Sequence, residues 1–141
     1  MDAKIDWDHL LGALRNELQE KGGLIGLLNR QAETLYRSDA VENERLEGEI
    51  RSQLELVSSS TLDRDDAVRQ TASAFHLKED VQASEVIRSF PEFVHPLLEA
   101  LFSEVQQLGC RVKERLKQNE GLKERFLFGT RSAVDCLARA Y

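Results

Sequence analysis

The chain has 141 residues, 41% of them hydrophobic and 31% charged, with a mean hydropathy of −0.43 and a net charge of −6. That is the balance of one soluble domain with thin cores and much solvated surface. No apolar run approaches the ~18 residues of a membrane span, and the opening MDAKIDWDHLLGAL has acids and no basic region of a secretory leader, so neither is expected.

Trp7, Leu11, Leu14, Leu18, Lys21, Ile25, Leu28, Ala32 and Leu35 recur in a 4-3-4-3 rhythm, which is a heptad seam. It predicts a first helix over 1–37, with Asp6 as N-cap, Ile5 stapled to Leu10, and Leu10, Leu24 and Leu27 widening the apolar face for more than one neighbour. Gly22, Gly23 and Gly26 interrupt good helix formers, yet the seam keeps phase across them. One continuous helix with a weak spot, or a close approach by a neighbour, is expected there.

Ser38 and Asp39 close this helix, and Asp39 can cap the next. A second helix is predicted over 39–76 from Leu46, Ile50, Gln53/Leu54, Val57, Thr61, Arg64, Val68, Ala72 and Phe75. Ser58, Ser59, Ser60 and Thr61 look like a break, with Asp63 as a new cap, but the unbroken period favours one long helix bent at the serines. A connection this short makes the two helices antiparallel neighbours.

A short helix is predicted over 81–90, capped by Asp80 or Ser84 and ended by Pro91. Pro96 suits the first turn of a long last helix over 93–141. There the apolar face runs through Leu98, Leu101/Phe102, Val105, Leu108, Val112, Leu116, Leu122, Phe126, Val134 and Leu137. From Leu97 onward that is roughly 65 Å of rod, more than the rest of the chain has helix to cover. The fold expected is therefore an all-α antiparallel long-helix hairpin or bundle, three long helices plus one short one, with an extended C-terminal amphipathic helix. The whole chain forms one domain.

The residues offer little chemistry. Asp6/His9 and Glu92/His95 have the carboxylate-x-x-His spacing of bundle di-metal sites, but both lie at helix starts, where acids serve the helix dipole, and the seams supply no bridging carboxylates. His76 reads as a helix-end cation. Cys110 and Cys136, 26 residues apart on one helix, are separated by roughly 39 Å and cannot bridge. The pairs Glu17/Lys21, Glu47/Arg51 and Glu120/Glu124 read as surface helix chemistry. Residues 111–141 hold 8 bases against 4 acids, while residues 1–66 hold 8 bases against 15 acids. The basic block lacks the aromatics of a nucleic-acid site and reads as a solvated face or a complement to the acidic helices. No enzyme, no cofactor and no metal are expected.

What remains is the segment from about Asn119, with Leu122, Phe126, Leu127, Phe128, Val134, Leu137 and Tyr141. Phe126, Leu127 and Phe128 point in three directions around a helix, and such a helix sits in a core or grips a partner. These seven residues are the candidate partner-binding set.

The layout resembles the FlgN family of flagellar export chaperones. The resemblance rests on Trp7 with Leu10, Leu11 and Leu14; on Leu27, Leu28, Gln31 and Leu35; and on Asp39 opening a second charged helix that closes over Arg69 to Leu77. It continues through the short element Ser84 to Pro91, then the long last helix carrying Gln118, Asn119, Glu120, Gly121 and Leu122. It implies a cytoplasmic, non-enzymatic chaperone for type III export. Such a protein binds the terminal amphipathic helices of hook–filament junction proteins, prevents their premature assembly and delivers them to export-gate components. Neither nucleic acid nor membrane insertion enters this reading. The alternative is a structural or adaptor coiled coil that self-associates through the same surface, as a homo-oligomer.

Overall fold

The computed structural model describes residues 7–78 and 80–127. Among them the protein is an all-α bundle. Helix α1 spans Trp7–Tyr36, α2 Ala40–Ala74, α3 Ala83–Arg88 and α4 His95–Leu122; a 3₁₀ turn, Glu92–Val94, precedes α4, and a π-helical turn, Lys123–Leu127, follows it. Ile5 and Asp6, the predicted staple and N-cap of α1, lie outside the described residues.

Helix α1 is the common partner of α2 and α4, whereas α2 and α4 come close to each other at few points. Side chains fix the directions. Gln31 meets Asn43, Glu20 meets Gln53 and Glu17 meets Arg64, so α2 runs antiparallel to α1. Lys21 meets Val105, Asn119 meets Leu28, and Tyr36 meets Phe126, so α4 runs parallel to α1. The short α3 and the 3₁₀ turn close the proximal end, where α1 begins. There Phe90 is buried, with Phe75 at 4.9 Å and Trp7 at 6.4 Å in edge-to-face geometry, and Trp7 also meets Phe93 at 5.5 Å.

The heptad period of α1 is real, but its most buried line is rotated from the one the leucines suggest. Leu10, Leu14, Glu17, Lys21, Leu24, Leu28, Gln31 and Leu35 form the 4-3-4-3 seam. It shares Leu14, Lys21, Leu28 and Leu35 with the predicted one and takes Leu10, Glu17, Leu24 and Gln31 instead of Leu11, Leu18, Ile25 and Ala32. Leu11 and Ile25 are also buried, on the wider face that a helix with two neighbours needs. On α2 the buried line begins as predicted at Leu46 and Ile50 and then passes through Ser60 and Ala67 rather than Thr61 and Val68.

The three glycines do not break α1. A side chain at Gly23 would lie 3.2 Å from Gln53 Nε2, so this one marks a close approach; Gly22 and Gly26 face open space. Nor do the serines break α2. Ser60 Oγ bonds the Val57 carbonyl at 2.7 Å within the helix, and Thr61 turns its hydroxyl to Glu17. Asp39 caps α2 through the Glu42 N–H at 3.1 Å, as expected. Asp63 lies inside α2 and starts nothing. The predicted caps of the short helix are not used: α3 starts from Gln82, whose carbonyl takes the N–H groups of Glu85 and Val86, so Asp80 and Ser84 have no capping role. Pro96 sits in the first turn of α4.

Both long helices of the hairpin end in the same device. After α1, Ser38 adopts φ 54°, its N–H bonds the Leu35 carbonyl and the Asp39 N–H bonds the Thr34 carbonyl. After α2, His76 adopts φ 61°, its N–H bonds the Ser73 carbonyl and the Leu77 N–H bonds the Ala72 carbonyl. These are Schellman closures, which glycine usually occupies because the left-handed conformation strains an L residue. His76 thus closes α2 as a conformational stop, at the helix end where the sequence places it. Ser38→Gly and His76→Gly should each raise stability by about 0.5–1 kcal/mol, the relief of strain exceeding the added freedom of the unfolded chain. Urea midpoints at unchanged slope would measure this; a lower midpoint in both would contradict the assigned closures.

Candidate functional site

The apolar interior is divided in two. A proximal cluster gathers Leu10, Leu14, Ala67, Val86, Phe90, Leu98 and Val105; a distal one gathers Leu24, Ile25, Leu28, Leu46, Ile50 and Val112. Between them lies a charged layer. Glu17 has no exposed surface, and its carboxylate takes bonds from Lys21 Nζ at 2.9 Å, Arg64 Nε at 2.9 Å and Thr61 Oγ1 at 3.0 Å. Arg64 also bonds Asp65 at 2.7 Å, and Lys21 Nζ reaches the Val105 carbonyl of α4 at 3.5 Å. The reading of Glu17/Lys21 as a surface pair is therefore wrong, because a partner on α2 lets the carboxylate enter the core. The Glu17 carboxylate is occupied by internal donors, and the layer reaches solvent through Arg64 and Asp65.

A second polar place is the groove between the proximal halves of α1 and α2, about 440 Å³, lined by Asp8, His9, Asn16, Asp63, Asp66 and Gln70 over Gly12 and Ala13. Asp66 pairs with Arg69. Asp6, the carboxylate of the first predicted carboxylate–histidine spacing, lies outside the described residues; in the second, His95 Nε2 lies 2.6 Å from the Phe90 carbonyl. Among the described residues no group of three His, Cys, Asp or Glu is placed to hold a metal ion. Cys110 is exposed and free; Cys136 lies outside the described residues.

The distal end carries the apolar residues that the sequence singles out. Because α4 starts level with α1 and runs parallel to it, the two also end level, and α1 supports α4 as far as Phe126. The predicted start of the partner-binding segment, about Asn119, therefore falls inside the bundle. Asn119 is buried, donating to the Leu28 carbonyl at 2.8 Å and to Gln31 Oε1 at 3.0 Å, while Gln31 donates to Asn43 Oδ1 at 3.1 Å. This amide ladder ties all three long helices together; the Asn119 Oδ1 has no hydrogen-bond partner.

Beyond the ladder, Phe126 packs in a tilted geometry at 5.1 Å against Tyr36, the last residue of α1, which remains 65% exposed. Leu122 is half-buried. On one flank of α4 the ring of Tyr36 and the side chains of Ala32 and Leu122 floor a groove of about 410 Å³ walled by Arg115, Gln118, Gly121 and Arg125. On the other flank, Ile50, Leu54 and Leu116 floor a smaller groove of about 270 Å³. Lys123 bridges it to Glu47 at 2.7 Å, so Glu47 serves α4 rather than Arg51. Burial opposes the Lys123 charge, but Glu47 and Glu120 outweigh it and hold the ammonium pKa above its ordinary value.

Of the predicted set, the structure thus brings Leu122 and Phe126 together with Tyr36. Leu127 closes the π-helical turn. Phe128, Val134, Leu137 and Tyr141 lie outside the described residues. Sequence reasoning missed Tyr36, which falls just past the seam, and the buried amides, whose seven-residue spacing from Leu24 (Gln31) or Val112 (Asn119) was the available signal.

Burial alone would push the Glu17 carboxyl upward; hydrogen bonds from Arg64 and Lys21, with their charges, outweigh it and hold the pKa below its ordinary value of 4.5. A depressed folded value means that the stability Glu17 contributes is present above about pH 4.5 and is lost as pH falls through the folded value. Glu17→Ala should cost about 3–5 kcal/mol at neutral pH, since it leaves two cations in or near the core without their partner. Denaturation of Glu17→Gln between pH 6 and pH 3 should show a shallower acid loss than wild type; parallel curves would mean that this carboxylate is not the linked group.

No known protein family, curated protein or solved structure matches this chain.

Proposed function

We propose that this protein is a non-enzymatic, helix-binding chaperone of the flagellar type III export kind, acting in the cytoplasm on the terminal amphipathic helices of hook–filament junction proteins. The observation that carries the reading is the distal end of the bundle. An exposed aromatic residue, Tyr36, and two half-buried apolar residues, Leu122 and Phe126, stand beside a groove walled by α4. Such a surface suits helix-in-groove recognition, in which a host covers the apolar stripe of an amphipathic guest. The resemblance of the layout to FlgN chaperones supplies the class of guest. Among the described residues no helix is long and apolar enough to cross a membrane, which agrees with a host that meets its guests in water.

The same apolar surface suits a second copy of the chain, so self-association is the competing reading. The two separate on Leu122→Ala combined with Phe126→Ala. In a chaperone the pair weakens capture of a labelled amphipathic helix by at least about tenfold, as aromatic and aliphatic anchors carry such interfaces, and leaves the mass by light scattering unchanged. In a self-associating coiled coil the wild type is an oligomer, the pair makes it a monomer, and neither form captures the helix.

A further inference from the structure

The distal groove has a chemistry of its own. Its floor, Ala32, Tyr36 and Leu122, is apolar or aromatic, and its wall carries Arg115 of α4 and Arg125 of the π-helical turn. Arg115 bonds only the amide of Gln118, at 3.2 Å, and Arg125 has no ion pair among the described residues. Arg111 continues the same edge, with Arg115, Gln118 and Glu114 lining the adjoining depression. Six cations of the bundle are ion-paired within the chain, Lys21 and Arg64 by Glu17, Arg45 by Glu42 and Glu49, Arg69 by Asp66, Arg37 by Glu33, and Lys123 by Glu47, whereas Arg15, Arg51, Arg88, Lys113 and Lys117, like Arg115 and Arg125, have no ion pair among the described residues. Two of the unpaired guanidiniums, Arg115 and Arg125, thus flank a groove lined by an exposed aromatic residue, Tyr36.

Resting on the helix-binding reading above, we infer that this groove selects an amphipathic helix whose apolar stripe is bordered by Asp and Glu. The stripe covers Tyr36 and Leu122, and the carboxylates meet Arg115 and Arg125, whose planar forks suit bidentate pairing. Like charges facing each other across an interface are penalised, so the groove also discriminates against basic helices.

The test uses the full chain and two synthetic helices of about 20 residues, roughly 30 Å long. They share one leucine–valine stripe, bordered in one by Glu and in the other by Lys. Fluorescence anisotropy should show the acidic helix binding at least about tenfold tighter, with the preference shrinking as salt is raised. Arg115→Glu with Arg125→Glu should reverse the preference; Arg115→Lys with Arg125→Lys should keep its sign at lower strength. Both sites are exposed, so unchanged thermal unfolding should confirm that the variants fold. Equal binding of the two helices, or a preference that survives the reversal, overturns the acidic-guest inference and leaves the chaperone reading standing. Binding of neither helix overturns both. A concentration-dependent dimer that dissociates on the same reversal overturns the inference in favour of a second copy of the chain.

Discussion

The Glu17 carboxylate is where the three long helices are held in one alignment. It draws Lys21 from its own helix, Thr61 and Arg64 from α2, and through Lys21 the backbone of α4 at Val105. A buried charge is a poor source of net stability, because the cost of leaving water offsets most of what its partners return. Its effect is on register. Heptad seams of leucine and valine tolerate a slip of seven residues with little loss of apolar contact. Here a slip of one heptad sets Glu17 against an apolar layer. A slip of two brings it toward the amide ladder of Gln31, Asn43 and Asn119, 14 residues along α1, but strips the overlap from four turns of helix. The two polar layers leave one alignment in which the buried Glu17 and Lys21 charges are both paired.

This arrangement also explains what could be read from the residues and what could not. The all-α class, the helix count and the antiparallel hairpin follow from period, proline placement and the cap at Asp39. The rotation of the α1 seam does not. Glu17 and Gln31 look like solvent-facing residues because polarity on one helix says nothing of a partner on another, and it is Arg64 and Asn119 that make their burial affordable in free energy. The unbroken course of α2 through Ser58 to Thr61 has the same origin: Ser60 bonds back to its own helix and Thr61 across to Glu17, so residues of weak helix propensity are held by contacts invisible to propensity.

The distal end was legible in kind but not in extent. Apolar periodicity marks Leu122 and Phe126, but the expected start of the partner-binding segment, about Asn119, lies within the bundle. The deciding fact is geometric. With α4 starting beside Trp7, the 30 residues of α1 set how far α4 is supported, and that limit is Tyr36 against Phe126. The basic excess of residues 111–141 is equally visible as a count, but its meaning depends on pairing: Lys123 is consumed by Glu47, whereas Arg115 and Arg125 stand beside an apolar floor.

Helix α1 is the element on which both other long helices lie, while α2 and α4 scarcely share backbone proximity. Cooperativity is therefore unevenly distributed. Release of α4 or of α2 gives up one main helix–helix interface, so either can detach as a sub-global event; release of α1 dissolves both interfaces at once and is equivalent to global unfolding. Amide protons near the middle of α1 should then be the slowest in the molecule to exchange with solvent, and the edges of the bundle should open more often than its spine.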